Sequence, residues 1–133
     1  MVIDTSAMVA IVLGEPLKEP LLDIIRKAPV RIISSVSMME VGLVVRARLH
    51  KDAAASVFRL VEALGIEVQP FTEDQAGVAV EAFGLFGKGM GHKAQLNFGD
   101  CAVYALAVLE RLPVLATGND FRLSGLPTVH VSQ

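Results

Sequence analysis

Residues 1–16 read MVIDTSAMVAIVLGEP, and the step from Ile3 to Asp4 decides the fold. Val2 and Ile3 are β-branched and apolar, which suits a short buried strand, and Asp4 ends them. Thr5–Leu13 then runs in helix-compatible apolar residues to Gly14, a helix stop. A strand that meets a carboxylate and turns straight into a helix is how an alternating α/β chain begins. Asp is also a favoured N-cap, so two readings of Asp4 stay open: a cap, or a member of a site.

The alternation repeats along the chain. Over Glu15–Ala28, Leu17, Leu21, Leu22, Ile24 and Ile25 recur at helical spacing until Pro29. Arg31–Ser34 is a strand, and Ser34-Ser35 are good N-cap residues for a helix over Val36–His50. Asp52–Leu64 is a further helix, stopped by Gly65, and Ile66–Gln69 a strand before Pro70. Thr72-Glu73-Asp74-Gln75 matches a capping box and starts a helix to about Phe86. Residues 87–100, GKGMGHKAQLNFGD, read as a mobile Gly-rich loop. Phe98–Arg111 has almost no polar face between Cys101 and Leu109, which predicts a buried helix. Val114–Ala116 is a strand, TGND a turn, and Thr128–Val131 a last strand. The expectation is one domain over residues 1–133, an α/β/α sandwich on a mainly parallel sheet of about five strands.

Composition narrows the class. Apolar residues are 53% of the chain, with one Tyr and no Trp, so the core must be aliphatic, with the Phe side chains, Met38 and Met39 filling it. The apolar surplus hints at a covered surface between copies. A net charge of −2 supplies no field that would draw in nucleic acid unaided. The single cysteine, Cys101, excludes an internal disulfide, suits a reducing cytosol, and reads as a small buried residue. There is no basic N-terminal region and no uncharged apolar run near the ~18 residues of a membrane span, so a soluble, cytoplasmic setting is expected.

Four acids stand in unusual places. In a parallel sheet, sites form at the carboxyl ends of strands. Asp4 ends one strand, and Asn119 and Asp120 follow another. Glu40 has Val36, Ser37, Leu43 and Val44 as its helical neighbours, an apolar face where a carboxylate is costly unless paired or bound to metal. Asp100 opens the most apolar helix. Singly, each has a plainer explanation: a cap for Asp4, a helix-dipole partner for Asp100, an arginine pair for Glu40, a turn for Asp120. Jointly, one parallel fold would bring them together, and converging carboxylates call for a divalent cation. Oxygen donors without a Cys or His cluster point to Mg²⁺ or Mn²⁺ rather than zinc.

Three stretches carry a resemblance: DTSAMVAIVLGEP at 4–16, SSVSMMEVGLVVRARL at 34–49, and LNFGDCAVYALAVLERLPVLATGNDF at 96–121. In that order and spacing the chain resembles the PIN-domain family, most closely its VapC-type toxin ribonucleases, from Met1 to about Leu126. The resemblance implies Mg²⁺-dependent RNA cleavage, leaving a 3′-hydroxyl and a 5′-phosphate, with Mn²⁺ as a substitute. It matches Asp4, Glu40 and Asp100 to the three family acids, with Asp4 and Asp100 holding the ion and Glu40 binding directly or through water. Many relatives carry an acid where this chain has Asn119; Asp120 comes next and either substitutes or plays a structural part. Ser6 and Thr117 match site-orienting polar positions. A VapB-type antitoxin, a homodimer and a structured RNA such as a tRNA are the implied partners.

Arg46, Arg48, Lys88, His92 and Lys93 are candidates for phosphate contacts, against the plainer reading of solvated surface charge. Low aromatic content limits base stacking. Two other classes remain. A Mg²⁺-dependent phosphoryl-accepting protein fits poorly: a phosphatase motif needs a second Asp where Ser6 stands, and Ile66–Gln69 runs into Pro70 without an acceptor. A catalytically weak module of the same fold, binding RNA or a partner, is the other, and Asn119 is its argument.

Overall fold

The computed structural model describes residues 1–132. Four short strands, β1 (Val2–Ile3), β2 (Ile32–Ser34), β3 (Glu67–Gln69) and β4 (Val114–Leu115), form one sheet in the order β3-β2-β1-β4, with every pair parallel. The register sets Val2 beside both Ile32 and Val114. Among the described residues seven helices connect and cover the strands: α1 (Thr5–Val12), α2 (Lys18–Lys27), α3 (Ser35–Arg48), α4 (Ala53–Ala63), α5 (Glu73–Phe86), α6 (Phe98–Glu110) and α7 (Asp120–Leu123).

Side-chain alternation along the strands divides the core into two layers. Ile3, Ile33 and Leu115 pack with α1 to α4, around Met8, Leu21, Ile25, Val41 and Val57. Val2, Ile32 and Val114 point the other way, onto Leu96, Val103, Leu106 and Phe121, with Ala79 and Phe86 of α5 against them. Burying both faces of a parallel sheet is what makes its strands read as continuous apolar runs. The α/β/α sandwich is therefore as expected.

The sheet has four strands among the described residues rather than about five. Past Pro127 the chain makes a single bridge, Thr128 beside Val114, and does not extend it into a strand. The helix over Glu15–Ala28 begins later, at Lys18, because Glu15-Pro16 form a turn that ends with Lys18 N–H donating to the Glu15 carbonyl at 2.9 Å. A short helix, α7, follows TGND, which reads as a turn alone. Residues 87–96 are tied rather than free: Leu96 N–H donates to the Phe86 carbonyl at 3.0 Å and Lys88 N–H to the Leu96 carbonyl at 2.9 Å.

Burial departs from the pattern at a few places. Met38 is core, but Met39 is 57% exposed. On α6, Val108 and Leu109 reach solvent although Cys101, Ala102, Val103, Ala105, Leu106 and Ala107 are buried. The phenylalanines are not mainly core: Phe58, Phe71, Phe83 and Phe98 are all exposed. No helix among the described residues is long and apolar enough to cross a membrane.

Candidate active site

Asp4 leaves β1 in extended conformation and caps α1. Its Oδ2 accepts from Ser6 N at 3.0 Å and from Ser6 Oγ at 2.6 Å. Ser6 Oγ in turn accepts from Thr117 N at 3.1 Å. The backbone just beyond β4 is thereby joined to the carboxylate at the end of β1. Thr117 contributes through its backbone N–H and not its hydroxyl. Asp4 N–H donates to the Leu115 carbonyl at 3.0 Å, which holds the residue in line with the sheet. Asp4 is therefore a cap, and it also stands at the carboxyl edge of the sheet.

β2 ends at Ser34, whose hydroxyl accepts from Val36 N at 3.1 Å and starts α3. That puts Glu40 in the second turn of α3 on the same edge. Its neighbours Ser37 and Val41 are buried while Leu43 is 60% exposed, so Glu40 stands at the border of the apolar stripe, half-buried, and not in its middle. No arginine meets it. Thr5 Oγ1 donates to Glu40 Oε1 in a short hydrogen bond. Across from it is Gly99: a Cβ there would lie 2.9 Å from both Glu40 carboxylate oxygens. A glycine inside a helix costs about 1 kcal/mol against alanine, and here it leaves room for a carboxylate.

Asp100 is brought to the edge by the N-terminus of α6. Asn97 Oδ1 accepts from Asp100 N at 2.8 Å, and Asp100 Oδ2 accepts from Asn97 N at 3.0 Å, a reciprocal capping box. This employs one carboxylate oxygen of Asp100. Asp120 opens α7; its Oδ1 accepts from Gln95 N at 3.3 Å and so holds the 87–96 segment to the edge. Asn119, the residue before it, is exposed and caps α7 without a side-chain bond.

The electrostatics couple these acids. Burial pushes the Asp100 carboxyl up to about 6; the Asn97 amide opposes this, and the charges of Asp4, Asp120 and Glu40 add to it. Asp4 is also raised, chiefly by burial and further by Glu40, against the two Ser6 hydrogen bonds. Among the described residues the one ion pair joins Arg26 and Asp23 of α2, 3.9 Å apart and solvent-exposed. None of the four acids has a cation beside it. The Cys101 thiol is raised by burial and by Asp100, which keeps it protonated and unreactive.

Such an arrangement can be compared with known proteins. The PIN domain family model matches residues 1–124. Ribonuclease VapC28 of Mycobacterium tuberculosis is 40% identical over 126 residues, covering 95% of both chains. The chain belongs to the PIN-domain family, among its VapC ribonucleases. Solved structures agree on the fold. VapC20 of Mycobacterium tuberculosis, described as a sarcin–ricin loop cleaving toxin, superposes with a TM-score of 0.80 over 96% of this chain and 97% of its own, at 19% identity. A toxin–antitoxin complex from Klebsiella pneumoniae gives 0.65 over 90% and 88%, at 20% identity.

Within this PIN fold the remaining candidates divide. Lys88 and Lys93 are exposed on the segment that Gln95 ties to Asp120, close in sequence to the start of α6. Arg46 and Arg48 sit in the last turn of α3, about 9–12 Å along the helix axis beyond Glu40 and away from the carboxyl edge. There they favour the negative end of the helix dipole. His92 spends one ring nitrogen on its own segment: its Nδ1 accepts from Ala94 N at 3.0 Å and its ring meets Phe86 edge-on, centroids 5.0 Å apart. Thr5 and Gly99 do not stand out in the sequence. The signal for Gly99 was a glycine inside an apolar helix; Thr5 gave none, because its partner lies 35 residues away.

Proposed function

We propose that this chain is a Mg²⁺-dependent endoribonuclease, the toxin of a toxin–antitoxin pair. The observation that carries the reading is the meeting of Asp4, Glu40, Asp100 and Asp120 at one sheet edge, with two raised carboxyls and no cation to balance them. The kinship with VapC28, a ribonuclease by name, supports the chemistry and makes a VapB-type antitoxin the fitting partner, and the likeness in fold to the toxin–antitoxin complex from Klebsiella pneumoniae supports an antitoxin partner in general.

The donors fit a hard cation. All are oxygens, as Mg²⁺ or Mn²⁺ prefers. Among the described residues no three His, Cys, Asp or Glu side chains close into a ready cage. The acids feel one another's charge without closing into a cage, and Mg²⁺ suits such a set because it binds through one or two carboxylates and keeps several waters. Asp4 and Asp100 would hold the ion, and Glu40 would bind it directly or through water. When bound, the ion lowers the pKa of a water and offsets charge on the phosphate. Ser6 and the Thr117 amide fix the Asp4 carboxylate, Thr5 and Gly99 fix Glu40, and Asn97 fixes Asp100. Lys88 and Lys93, both exposed on the segment that Gln95 ties to Asp120, would meet backbone phosphates of RNA.

The exposed apolar residues Met39, Leu43, Val80 and Leu85 fit a homodimer, and the reduced Cys101 fits a cytoplasmic setting. The test is cleavage of a mixed RNA pool, tRNA included, by partner-free protein with Mg²⁺, with Mn²⁺ and with EDTA, beside Asp100→Asn. Metal-dependent cuts absent from the variant are expected. Folded native protein that cuts no more than the variant would favour the binding-module reading.

A further inference from the structure

Phe98 is the first residue of α6, and 84% of its surface is exposed, more than any other large apolar side chain among the described residues. Packing does not explain it, since the ring buries almost nothing. Its neighbours in sequence do point somewhere. Gly99 lies against the Glu40 carboxylate, and the next residue, Asp100, is one of the four acids at the carboxyl edge. Cα–Cβ bonds tilt toward a helix N-terminus, so the Phe98 side chain leans toward the end of α6 at which Gly99 meets Glu40. The segment with Lys88 and Lys93 arrives at the same helix end, where Lys88 N–H donates to the Leu96 carbonyl two residues before Phe98.

A flat, rigid, uncharged ring beside a phosphate-handling acid row has a known complement. Nucleobases stack on exposed aromatic faces largely without regard to sequence, and lysines track the backbone. From this placement of Phe98 beside Gly99 and Asp100 at the carboxyl edge, we infer that its ring is the stacking platform for an unpaired base next to the scissile phosphate. The inference rests on the ribonuclease reading above and adds a substrate requirement: the base beside the cut must be free of a duplex. A paired base has both faces covered by its neighbours and cannot reach the ring.

The chain has no tryptophan, so Phe98→Trp places a single reporter at this position. Titrating it in EDTA with a short unstructured RNA pool should quench the tryptophan, and the same pool annealed to its complement should not. With Mg²⁺, Phe98→Ala and Phe98→Leu should lose about tenfold or more in kcat/KM, while Phe98→Trp keeps activity. Phe58→Ala, on the exposed face of α4, should cut like the native chain. Leucine that restores cutting would mean the ring is not read as a ring, and the inference fails. It also fails if quenching is equal with duplex, or if Phe98→Ala changes only the molecular mass in light scattering. Quenching by single strands without any cutting by native protein would sink the ribonuclease reading and keep the base contact. Cutting without quenching would do the reverse.

Discussion

Thr5 Oγ1 and the absent side chain of Gly99 together fix where the Glu40 carboxylate rests. Both substitutions that disturb it should act on activity more than on folding. Gly99→Ala puts a methyl group 2.9 Å from two carboxylate oxygens. The obstacle is the far end of a flexible side chain, so Glu40 can swing aside, and the helix gains about 1 kcal/mol of propensity in return. Thr5→Val removes the hydroxyl that orients the same carboxylate. Partners that orient a metal-site acid are worth about 10–100-fold when lost. Each variant should therefore fall by about tenfold or more in cleavage while its melting temperature stays within a few degrees of native. Loss of both activity and fold in Gly99→Ala would mean that Glu40 is wedged in place and structural. Neither residue announces itself in the sequence, because each acts across a tertiary contact. Asp4, Asp100 and Asp120 drew notice in the sequence only jointly, since each is an ordinary cap or turn residue alone and a parallel α/β fold brings such positions to one edge.

The segment between α5 and α6 shows what an element gains from one ring. His92 Nδ1 takes the N–H of Ala94, a fully buried residue, and its ring packs edge-on to Phe86. His92→Ala leaves that N–H without a partner, which costs about 1–3 kcal/mol. The Ala94 amide should then exchange faster with solvent and the melting temperature should drop, whereas His92→Asn, which keeps an acceptor, should recover part of the loss. If His92 were a free phosphate contact, the alanine variant would weaken RNA binding at an unchanged melting temperature. Sequence alone reads 87–100 as Gly-rich and free because its ties are tertiary: Lys88 N–H to the Leu96 carbonyl is a backbone bond that no residue type encodes, and Gln95 N–H reaches the Asp120 carboxylate, 25 residues away. The opposite holds for α1, α3 and α5. Asp4, Ser34 and Thr72 cap them as their residue types foretell, since capping is a local interaction. Thr128–Val131 fails as a strand for a matching reason: apolar residues suit β-structure, but only a partner with free backbone groups completes it, and the bridge to Val114 is isolated.

At the scale of the whole molecule, the acid row makes folding itself depend on pH and on divalent ions. The Asp100 carboxyl lies near 6 in the folded chain and at its ordinary 3.8 when unfolded, and Asp4 is shifted in the same direction. A carboxyl raised by folding holds its proton longer in the native state. Below the unfolded value both states are protonated, and the contribution to stability is fully present. As pH rises from about 4 to about 6, the unfolded chain ionises first and the native chain follows at a cost, so this contribution is lost and stays lost above 6. In EDTA, the melting temperature should therefore carry a downward component between these values. Asp100→Asn should lose its own part of that slope, leaving the part due to Asp4, and melt higher than native at neutral pH, because an amide carries no charge for Asp4, Glu40 and Asp120 to repel. Its backbone cap survives, since Asn still offers an acceptor to Asn97 N–H. Adding Mg²⁺ at neutral pH should raise the native melting temperature in a concentration-dependent way, as any ligand of the folded state does, and should raise that of Asp100→Asn much less. Thermal melts across pH with EDTA or Mg²⁺ would check all three together. A native chain whose melting temperature rises through this window, with no response to Mg²⁺, would mean that the four acids are held as caps and not as a site.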